Sequence, residues 1–361
     1  MSKVGLTSPL FKDTILQNVV LWVIEDHPRI TTIGVRFSSG DQCTVKIFRD
    51  DRLHSVVSGN KWRKILPIFS KIKSLDTPTI ISMGGAHSNH IDALSWSAQT
   101  HSVQCYCFVR GQEHLNTPTL ESARARGTQI LPLSRTQYDR LRTAPLLSIS
   151  QLLQQYRTSC KQHTHILSKL NDRSLFIPEG GRCEWGMDGG KALISDLEQY
   201  TSILDHSTPS TLACSIGSGL TAFSISYALM PQLLLRIYSP FKGIHAAQSA
   251  YTHTMNALKQ KEQWLKFKPF IEFIEGGALG RYGTPNAKLI EWINFVWQST
   301  RVPLDPLYNS RALYLLLQDL ALRKIRQNQE IILLHTGGLQ GIKGMNERIS
   351  LGQPTIEVVL D

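Results

Sequence analysis

Residues 78–109 read PTIISMGGAHSNHIDALSWSAQTHSVQCYCFV. The run PTIISM is typical of a buried strand, GGAHSNH of a loop, IDALSWSAQT of a helix, and VQCYCFV of a second strand. A strand, a helix and another strand in this order predict a βαβ unit with a right-handed crossover. This unit decides the fold class, since it implies a parallel sheet.

The same alternation recurs along the chain. TLACSI (211–216) is a predicted strand followed by the loop GSG and the helix LTAFSISYALM, and EIILLH (330–335) is a strand ending in TGG. TVKIF (44–48) is another strand, and KWRKILPIFSKI is a helix in which Pro67 should cause a kink or a restart. Strands alternating with helices predict a doubly wound α/β protein. Ligands bind such sheets at the carboxyl ends of the strands, where these glycine-rich loops lie.

Composition restricts the class of protein. The chain has 361 residues, of which 42% are hydrophobic and 19% charged, as expected for a globular protein of two packed domains or one domain with a large insertion. No apolar run approaches the roughly 20 residues that span a bilayer, and ILQNVVLWVI near the N-terminus is interpreted as core. We therefore expect a cytoplasmic protein that does not associate with membranes. The net charge of +11 comes from scattered basic residues, which predict a basic surface and no nucleic-acid site.

The cysteines predict neither a disulfide nor a metal site. None of the six forms a C-x-x-C pair or shows metal-ligand spacing. Cys105 and Cys107 share one face of a predicted strand, because side chains repeat every two residues there. We expect reduced thiols in the core, and no metal ion.

Two strand–loop–helix junctions are candidate anion sites. In GGAHSNH (84–90), Ser88 or Asn89 can cap the following helix, whose free N–H groups can bind an anion. The simpler interpretation is that Ser88 is only a cap. GSG (217–219) precedes a second helix, although neither loop matches a P-loop or a G-x-G-x-x-G motif. Two such junctions fit a ligand with two separated anionic groups.

Two lysines, Lys61 and Lys64, follow the turn residues of SGNKWRK (58–64). This stretch resembles, together with six others in the same order, the family of 1-aminocyclopropane-1-carboxylate deaminase and D-cysteine desulfhydrase. The other matching pieces are FRDD (48–51), GGAHSNH (84–90), FIPEGG (176–181), RYGTPN (281–286), LDPLY (304–308) and HTGGLQG (335–341). These enzymes use pyridoxal 5'-phosphate and have the tryptophan-synthase-β-like fold (fold type II).

The resemblance implies two doubly wound α/β domains, with the smaller one inserted in the larger. We expect residues 1–64 and 174–361 to form the larger, cofactor-binding domain, and residues 65–173 to form the smaller domain that carries GGAHSNH. A homodimer is also implied by the resemblance alone.

The resemblance also assigns roles around the two lysines. Lys61 matches the lysine that forms a Schiff base with pyridoxal phosphate, and Lys64 matches the lysine that contacts its phosphate. An imine needs an unprotonated amine, and burial beside other cations favours that form. Asn89 matches the residue that hydrogen-bonds the ring hydroxyl. Ser88 and His90 flank it where the family binds the substrate carboxylate, and Ser88 is also a candidate proton carrier.

Further roles follow from the later motifs. Tyr308 matches a tyrosine packed on the cofactor ring, Tyr282 a second active-site tyrosine, and Thr336 the residue that faces the pyridine nitrogen. The phosphate cradle matches the loop of Gly217, Ser218 and Gly219, with Thr221 close behind.

Three departures from the family pattern affect the expected chemistry. Leu220 stands where the phosphate loop usually has threonine, so weaker phosphate binding is expected unless Thr221 or Ser218 compensates. Asn309 follows Tyr308, where the deaminases have an acid that meets the pyridine nitrogen and the desulfhydrases tend to have threonine. The segment RCEWGMDGG (182–190) replaces the familiar S-N-x-x-x-x-G.

These features leave three functional interpretations. The favoured one is a pyridoxal-phosphate lyase or deaminase of a small amino acid, with β-elimination of the desulfhydrase kind that yields a keto acid and ammonia. The preference rests on Asn309, which offers no carboxylate to hold a proton on the pyridine nitrogen. A second interpretation is 1-aminocyclopropane-1-carboxylate deaminase. A third is a diverged homologue that binds the cofactor, or only an anion, without turnover.

Overall fold

The computed structural model of the chain describes residues 15–74, 79–113, 115–143, 174–201, 210–228, 233–258, 270–277, 279–284, 286–326, 329–349 and 354–359. Its strands are β1 (Val20–Asp26), β2 (Ile30–Arg36), β3 (Gln42–Arg49), β4 (Thr79–Gly85), β5 (Gln104–Arg110), β6 (Gln129–Leu133), β7 (Ser174–Ile177), β8 (Ser210–Ser215), β9 (Leu233–Lys242), β10 (Ile271–Gly276) and β11 (Glu330–His335). Its helices are α1 (Asn60–Ser74), α2 (Asn89–Thr100), α3 (Pro118–Ala125), α4 (Arg135–Thr143), α5 (Glu184–Tyr200), α6 (Leu220–Ala228), α7 (Ile244–Ala257), α8 (Ala287–Thr300), α9 (Asn309–Ala321) and α10 (Gly341–Asn346).

The strands form two sheets. The larger has the order β1-β2-β3-β11-β8-β9-β10, and the smaller has the order β6-β5-β4-β7. In the larger sheet β1, β2 and β3 are antiparallel neighbours, and the remaining pairs are parallel. The smaller sheet is parallel throughout. The predicted βαβ unit is confirmed, because β4 pairs in parallel with β5 and α2 connects them.

Helices cover both faces of the larger sheet. One apolar cluster joins side chains of α8 and α9 to one face of the strands, including Val45, Ile47 and Leu333. A second cluster joins side chains of α5, α6 and α7 to the other face, including Leu212 and Ile332. Neighbouring residues of one strand therefore point to opposite layers, as the period of a strand requires. This arrangement confirms the predicted doubly wound α/β class.

The smaller sheet is also covered on both faces. One cluster contains residues of α1, α2 and α3, with Ile80 and both cysteines of β5, Cys105 and Cys107. The opposite cluster includes Ile81 and Tyr138. The sulfur atoms of Cys105 and Cys107 lie 3.9 Å apart on one strand face, as predicted. Both are free thiols, whereas Cys160 lies outside the described residues.

Helix α1 passes through Pro67 without restarting, so one of the two predicted outcomes at this proline is wrong. Proline has no N–H, and the Arg63 carbonyl therefore lacks its usual helical donor. Gly189 of α5 lies directly against that carbonyl, in a place where a Cβ would collide with it. The glycine permits a close crossing of α1 and α5, and this crossing fixes the helix that carries both site lysines.

The predicted domain boundaries stay a prediction, and the sheets bear on one of them. Strand β7, which the sequence assigned to the larger domain, pairs with β4 of the smaller sheet. We therefore propose that the chain returns to the larger domain after Ile177. Within the described ranges, no helix is long and apolar enough to cross a membrane. Residues 144–173, which belong to the predicted smaller domain, and the predicted helix end at 229–230 lie outside these ranges.

Candidate active site

Close backbone contacts bring the motifs of both sheets together. Gly59, just before α1, packs on the Thr336 carbonyl that follows β11, at a position where a Cβ would collide. A Cβ built on Gly338 would lie 2.8 Å from Asn89 Nδ2 and 3.4 Å from Asp305 Cγ. Only glycine, which has no side chain, allows the backbone to come so close to neighbouring atoms. The SGNK turn, the SNH helix start and the TGG loop therefore meet at one place.

The GSG loop after β8 joins the same site. A Cβ built on Gly217 would lie 3.2 Å from both Cε1 and the hydroxyl oxygen of Tyr308. Gly180 has a positive φ of 70° and lies directly against the Ser218 hydroxyl. The phenol ring thus lies over one end of the loop, and the EGG turn lies over its centre.

Lys61 occupies the first turn of α1 and is half-buried. Its Nζ donates a hydrogen bond of 2.9 Å to Asn60 Oδ1, and Asn60 Nδ2 donates one of 2.9 Å to the Thr221 hydroxyl. Burial lowers the pKa of the Lys61 amine to about 8, although the negative charge of Asp305 opposes the shift. The amine is therefore available in its nucleophilic form near neutral pH.

Lys64 is one helical turn further along α1 and is only 5% exposed. Burial, followed by the charges of Lys61 and Arg182, places the pKa of its amine well below the usual value. Among the described residues no carboxylate forms an ion pair with it. A buried cation surrounded by other cations is costly unless an anion joins it. The position therefore suits a phosphate group.

The FRDD motif anchors the start of α1. The Asp50 carboxylate accepts hydrogen bonds of 2.6 and 2.7 Å from Nε and an Nη of Arg63, and its backbone oxygen accepts one of 2.8 Å from the Gly59 N–H. Asp51 binds Arg49 of β3. The sequence showed this motif as part of the resemblance but gave it no role. In the structure it holds the turn that presents Lys61.

Ser88 is the N-cap of α2, which confirms the predicted cap. Its hydroxyl oxygen accepts bonds of 3.2 Å from His90 N–H and 3.4 Å from Ile91 N–H. The hydroxyl proton remains available for a ligand, because the cap uses only the oxygen. The two interpretations of Ser88, a cap and a proton carrier, are therefore compatible.

His90 turns away from the helix end and into the smaller sheet. Its Nε2 lies 2.9 Å from the Ser82 hydroxyl, which donates its own proton to the Ile177 carbonyl at 2.7 Å. The ring must then donate from Nε2, which leaves only Nδ1 for a ligand. Burial, with the charges of Lys61 and Lys64, lowers the pKa of His90 to about 3, so the ring is neutral. Its substrate contact stays a prediction.

Leu220 and Thr221 have different surroundings at the end of the GSG loop. Leu220 is fully buried in the core under α6, and its side chain does not line the loop. Thr221 Oγ1 accepts the bond from Asn60, so the hydroxyl can donate its proton to an oxyanion. Gly219 has φ of +93° and packs on α7, where a Cβ would lie 2.5 Å from the Ala250 carbonyl. Thr221 therefore has a hydroxyl proton to offer at the end of the loop, and its compensation for Leu220 in phosphate binding stays a prediction.

Two tyrosines form a phenol pair at the site. The hydroxyl oxygens of Tyr282 and Tyr308 are 2.8 Å apart. Burial and the neighbouring charge of Tyr282 place the pKa of Tyr308 well above its usual range. Both phenols can therefore act as proton donors near neutral pH. The two predicted tyrosines do come together.

Asp305 is a site residue that the sequence described only as a turn marker. Its carboxylate is fully buried and accepts bonds from the backbone N–H groups of Leu307, Tyr308 and Asn309, and from Asn309 Nδ2. Its charge also acts on Lys61. Asp305 lies four residues before Asn309, the first residue of α9, and the N-cap position itself is Tyr308, so the usual capping signal could not have found it.

Asn309 does not project freely toward a ligand. Its Nδ2 donates to Asp305 and to the Gly337 carbonyl at 2.8 Å, and its Oδ1 accepts from the Thr336 N–H at 2.9 Å and the Thr336 hydroxyl at 3.2 Å. Every donor and acceptor of the amide is used. Asn309 therefore holds Thr336, and the place of either residue at the pyridine nitrogen stays a prediction.

Comparisons with known proteins agree with the resemblance. No family model matches the chain. Over 304 residues it is 23% identical to the bifunctional D-cysteine desulfhydrase/1-aminocyclopropane-1-carboxylate deaminase of Arabidopsis thaliana. This alignment covers 82% of this chain and 72% of the relative. Over 332 residues it is 24% identical to a D-cysteine desulfhydrase of Klebsiella pneumoniae, in an alignment that covers 86% of this chain and 94% of the relative.

A solved structure of an ACC deaminase homologue (ACC is 1-aminocyclopropane-1-carboxylate) superposes with a TM-score of 0.62 at 20% identity, over 85% of this chain and 88% of the other. The fold is the predicted tryptophan-synthase-β-like fold of pyridoxal-phosphate enzymes, fold type II. The predicted resemblance to the deaminase and desulfhydrase family is confirmed.

Proposed function

We propose that this chain is a pyridoxal-phosphate-dependent lyase or deaminase that acts on a small amino acid. One observation carries the proposal: a lysine amine with its pKa lowered to about 8 stands one helical turn from a buried, unpaired lysine. Asn60, which accepts the hydrogen bond of Lys61, also donates one to Thr221 at the end of the glycine-rich loop, and Tyr308 of the phenol pair packs on Gly217 of that loop. The names and coverage of the similar proteins support the same class.

The described residues fit the cofactor. Lys61 is the covalent attachment point, and Lys64 supplies a positive charge for the phosphate. The N–H groups of the GSG loop at the start of α6, with Ser218 and the Thr221 hydroxyl, supply further donors. Asn89 and Thr336 are assigned to the ring hydroxyl and ring nitrogen, and the Tyr308 ring to one ring face.

Bound pyridoxal phosphate supplies an electron sink for bonds broken at the substrate's α-carbon. The protein supplies proton transfer and orientation around it. Lys61 Nζ, once released, takes the α-proton, and the Ser88 hydroxyl with the N-terminus of α2 binds the substrate carboxylate. The Tyr308–Tyr282 pair holds a proton that can be passed to a leaving group.

For the reaction type we propose β-elimination of the desulfhydrase kind, which yields a keto acid and ammonia. The Thr336 hydroxyl donates its proton to Asn309 Oδ1, so it offers the ring nitrogen only the lone pairs of a neutral oxygen, and no carboxylate is hydrogen-bonded to Thr336 among the described residues. Opening a cyclopropane needs strong electron withdrawal, which a protonated ring nitrogen supplies best. Elimination of a thiolate from the β-carbon requires less electron withdrawal by the ring. ACC deaminase remains the second candidate, because the relatives' names include it.

The cofactor assignment is tested by trapping. The purified chain with added pyridoxal phosphate should show a visible absorption band that borohydride removes, and peptide mass spectrometry should find the adduct on Lys61. Lys61→Ala should lack the band, whereas Lys64→Ala should show it only at higher cofactor concentrations. An adduct on Lys64, or no adduct at all, would refute the assignment.

The reaction type is tested by comparing products. D-cysteine or β-chloro-D-alanine should yield pyruvate faster than ACC yields 2-oxobutyrate. The opposite preference would refute the ring-nitrogen argument, and turnover of neither in a chain loaded with cofactor would favour a non-catalytic homologue. The homodimer and the cytoplasmic location also stay predictions, and light scattering at several protein concentrations would test the first.

A further inference from the structure

Arg182, the first residue of the segment that departs from the family pattern, is an unusual buried cation. It is 5% exposed, yet its guanidinium has one hydrogen bond among the described residues, from Nε to the Glu179 carbonyl at 3.3 Å. Of the other buried arginines, Arg49, Arg63 and Arg236 pair directly with carboxylates, and Arg311 donates two hydrogen bonds to the carbonyls of Gly280 and Arg281. Arg182 forms no ion pair within the described ranges. Burying a guanidinium without an anion is costly, so an anion is expected beside it.

The charges around Arg182 are mostly positive. It lies near enough to lower the pKa values of Lys64 and His253, and Arg142 acts on it in turn. Glu179 is the one carboxylate of the described residues whose charge acts on Arg182, and it accepts a bond of 2.9 Å from the Tyr138 hydroxyl. Arg142 has its own partner in Asp139 at 3.4 Å, so the half-buried Glu179 is left to balance both Arg182 and Lys64 among the described residues.

Arg182 directly follows two glycines, one of which contacts the GSG loop. The two glycines before it, Gly180 and Gly181, lie against the Ser218 hydroxyl and the Lys64 side chain, the latter at 3.6 Å from a built Cβ. The arginine therefore leaves the EGG turn between Lys64 and the loop.

We infer that Arg182 is a second cationic ligand, beside Lys64, for an oxyanion bound at the GSG loop, and that this oxyanion is the phosphate of the cofactor. The inference rests on the proposed function and extends it to a residue outside the motifs that carry the resemblance. A planar guanidinium can bind two phosphate oxygens at once. The segment 182–190 is then a site of altered cofactor recognition.

An anionic group on the substrate is the competing occupant of this site. The cation that responds to Arg182 is Lys64, whereas the amine of Lys61, at which the substrate reacts, responds to Asp305. The backbone agrees with this, because Gly180 and Gly181, directly before Arg182, pack against the Ser218 hydroxyl and the Lys64 side chain. Arg182 therefore follows residues that contact the proposed phosphate site, which favours the cofactor.

The test compares pyridoxal phosphate with pyridoxal, which lacks the phosphate. Dissociation constants are measured by absorbance for the natural chain, Arg182→Gln, Arg182→Lys and the control Lys191→Gln, which removes an exposed cation from α5. We expect Arg182→Gln to weaken pyridoxal phosphate binding about tenfold to a hundredfold and to leave pyridoxal binding unchanged. Arg182→Lys should recover part of the loss, and Lys191→Gln should match the natural chain.

Inorganic phosphate provides an arm that does not need the cofactor. It should raise the melting temperature of the natural chain and the control more than that of Arg182→Gln. The inference would be overturned if phosphate stabilised all three proteins equally, or if Arg182→Gln weakened the binding of pyridoxal phosphate and of pyridoxal to the same extent. An unchanged cofactor affinity with a raised KM for substrates bearing an acidic side chain would assign Arg182 to the substrate instead.

The two proposals fail differently. A natural chain that takes up no pyridoxal phosphate would refute the proposed function, whereas stabilisation by phosphate that depends on Arg182 would still support the oxyanion site. If the Arg182→Gln variant binds the cofactor as tightly as the natural chain, only the inference is refuted.

Discussion

The amine of Lys61 should titrate far below an ordinary lysine. Its pKa is lowered from 10.5 to about 8, mainly by burial. At pH 7 such an amine is neutral in about one molecule in ten, compared with about one in three thousand for a lysine at the usual value. The neutral form is therefore enriched about three-hundredfold, and this enrichment is the structural basis for assigning the covalent step to Lys61.

Competitive acylation measures this difference directly. The cofactor-free chain is treated with a trace of isotopically labelled acetic anhydride at a series of pH values, then unfolded and fully acetylated with the unlabelled reagent, and the isotope ratio is read peptide by peptide. Lys61 should give a midpoint near pH 8. Lys191, an exposed lysine whose pKa is raised by its hydrogen bond to Asp188, is the internal reference and should give a midpoint above the usual lysine value. A Lys61 midpoint at or above that of Lys191 would refute the burial argument.

The same shift predicts how stability depends on pH. The unfolded chain binds a proton at Lys61 up to about pH 10.5, whereas the folded chain releases it near pH 8. Because the unfolded state binds more protons in this window, the contribution of Lys61 to the free energy of unfolding should rise with pH from about 8 to 10. Urea titrations of the cofactor-free chain and of Lys61→Met should show a pH slope in that range that the variant loses.

Three further outcomes are expected. Asp50→Ala leaves buried guanidinium groups without their acceptor and should lower the free energy of unfolding by about 3–5 kcal/mol. The exposed control Asp26→Ala should cost about 1 kcal/mol or less in the same urea titration. Leu220→Thr should destabilise the chain by about 2 kcal/mol or more without improving phosphate binding, because Leu220 is a core residue. Thr221→Val should weaken cofactor binding instead, as measured by absorbance titration. Phosphate binding should take up a proton at Lys64, so affinity should fall as pH rises through its lowered pKa. Calorimetry in buffers of different ionisation enthalpy would detect that proton, and Lys64→Met should abolish it.

The fold class was predictable because its signals are local. Apolar runs such as TIISM in β4, followed by glycine and a capping serine, require only short-range information. The antiparallel β1 and β2 were not predicted as strands: the stretch of β1 was interpreted only as core, and the stretch of β2 was given no prediction. The pairing of strand β7 could not be predicted for a related reason. A strand of four residues carries no mark of its partner, and its pairing with β4 is decided by the tertiary structure.

Within the site, residue types were easier to predict than their surroundings. Lys61, Lys64, Tyr308 and Tyr282 were found through motifs, and the structure brings both pairs together. In the sequence, Arg182 is visible only as a departure from the family pattern. Its burial, and the lack of a carboxylate paired with it among the described residues, depend on tertiary packing and cannot be found from the sequence. The orientation of Leu220 also could not be predicted, since one residue of rotation at a helix start exchanges a core position for a loop position.

Asn309 shows why residue identity alone does not determine a role at the ring nitrogen. From the sequence, an amide in place of an acid is a neutral partner for the cofactor. In the structure the amide joins Asp305 to Thr336, so it holds the Thr336 hydroxyl. A glutamate at this position would bring a second carboxylate against the buried Asp305, and like charges at hydrogen-bond distance cannot both stay ionised. Conversion toward deaminase chemistry therefore requires changes at Asp305 and Thr336 as well, because the three side chains form one hydrogen-bonded unit.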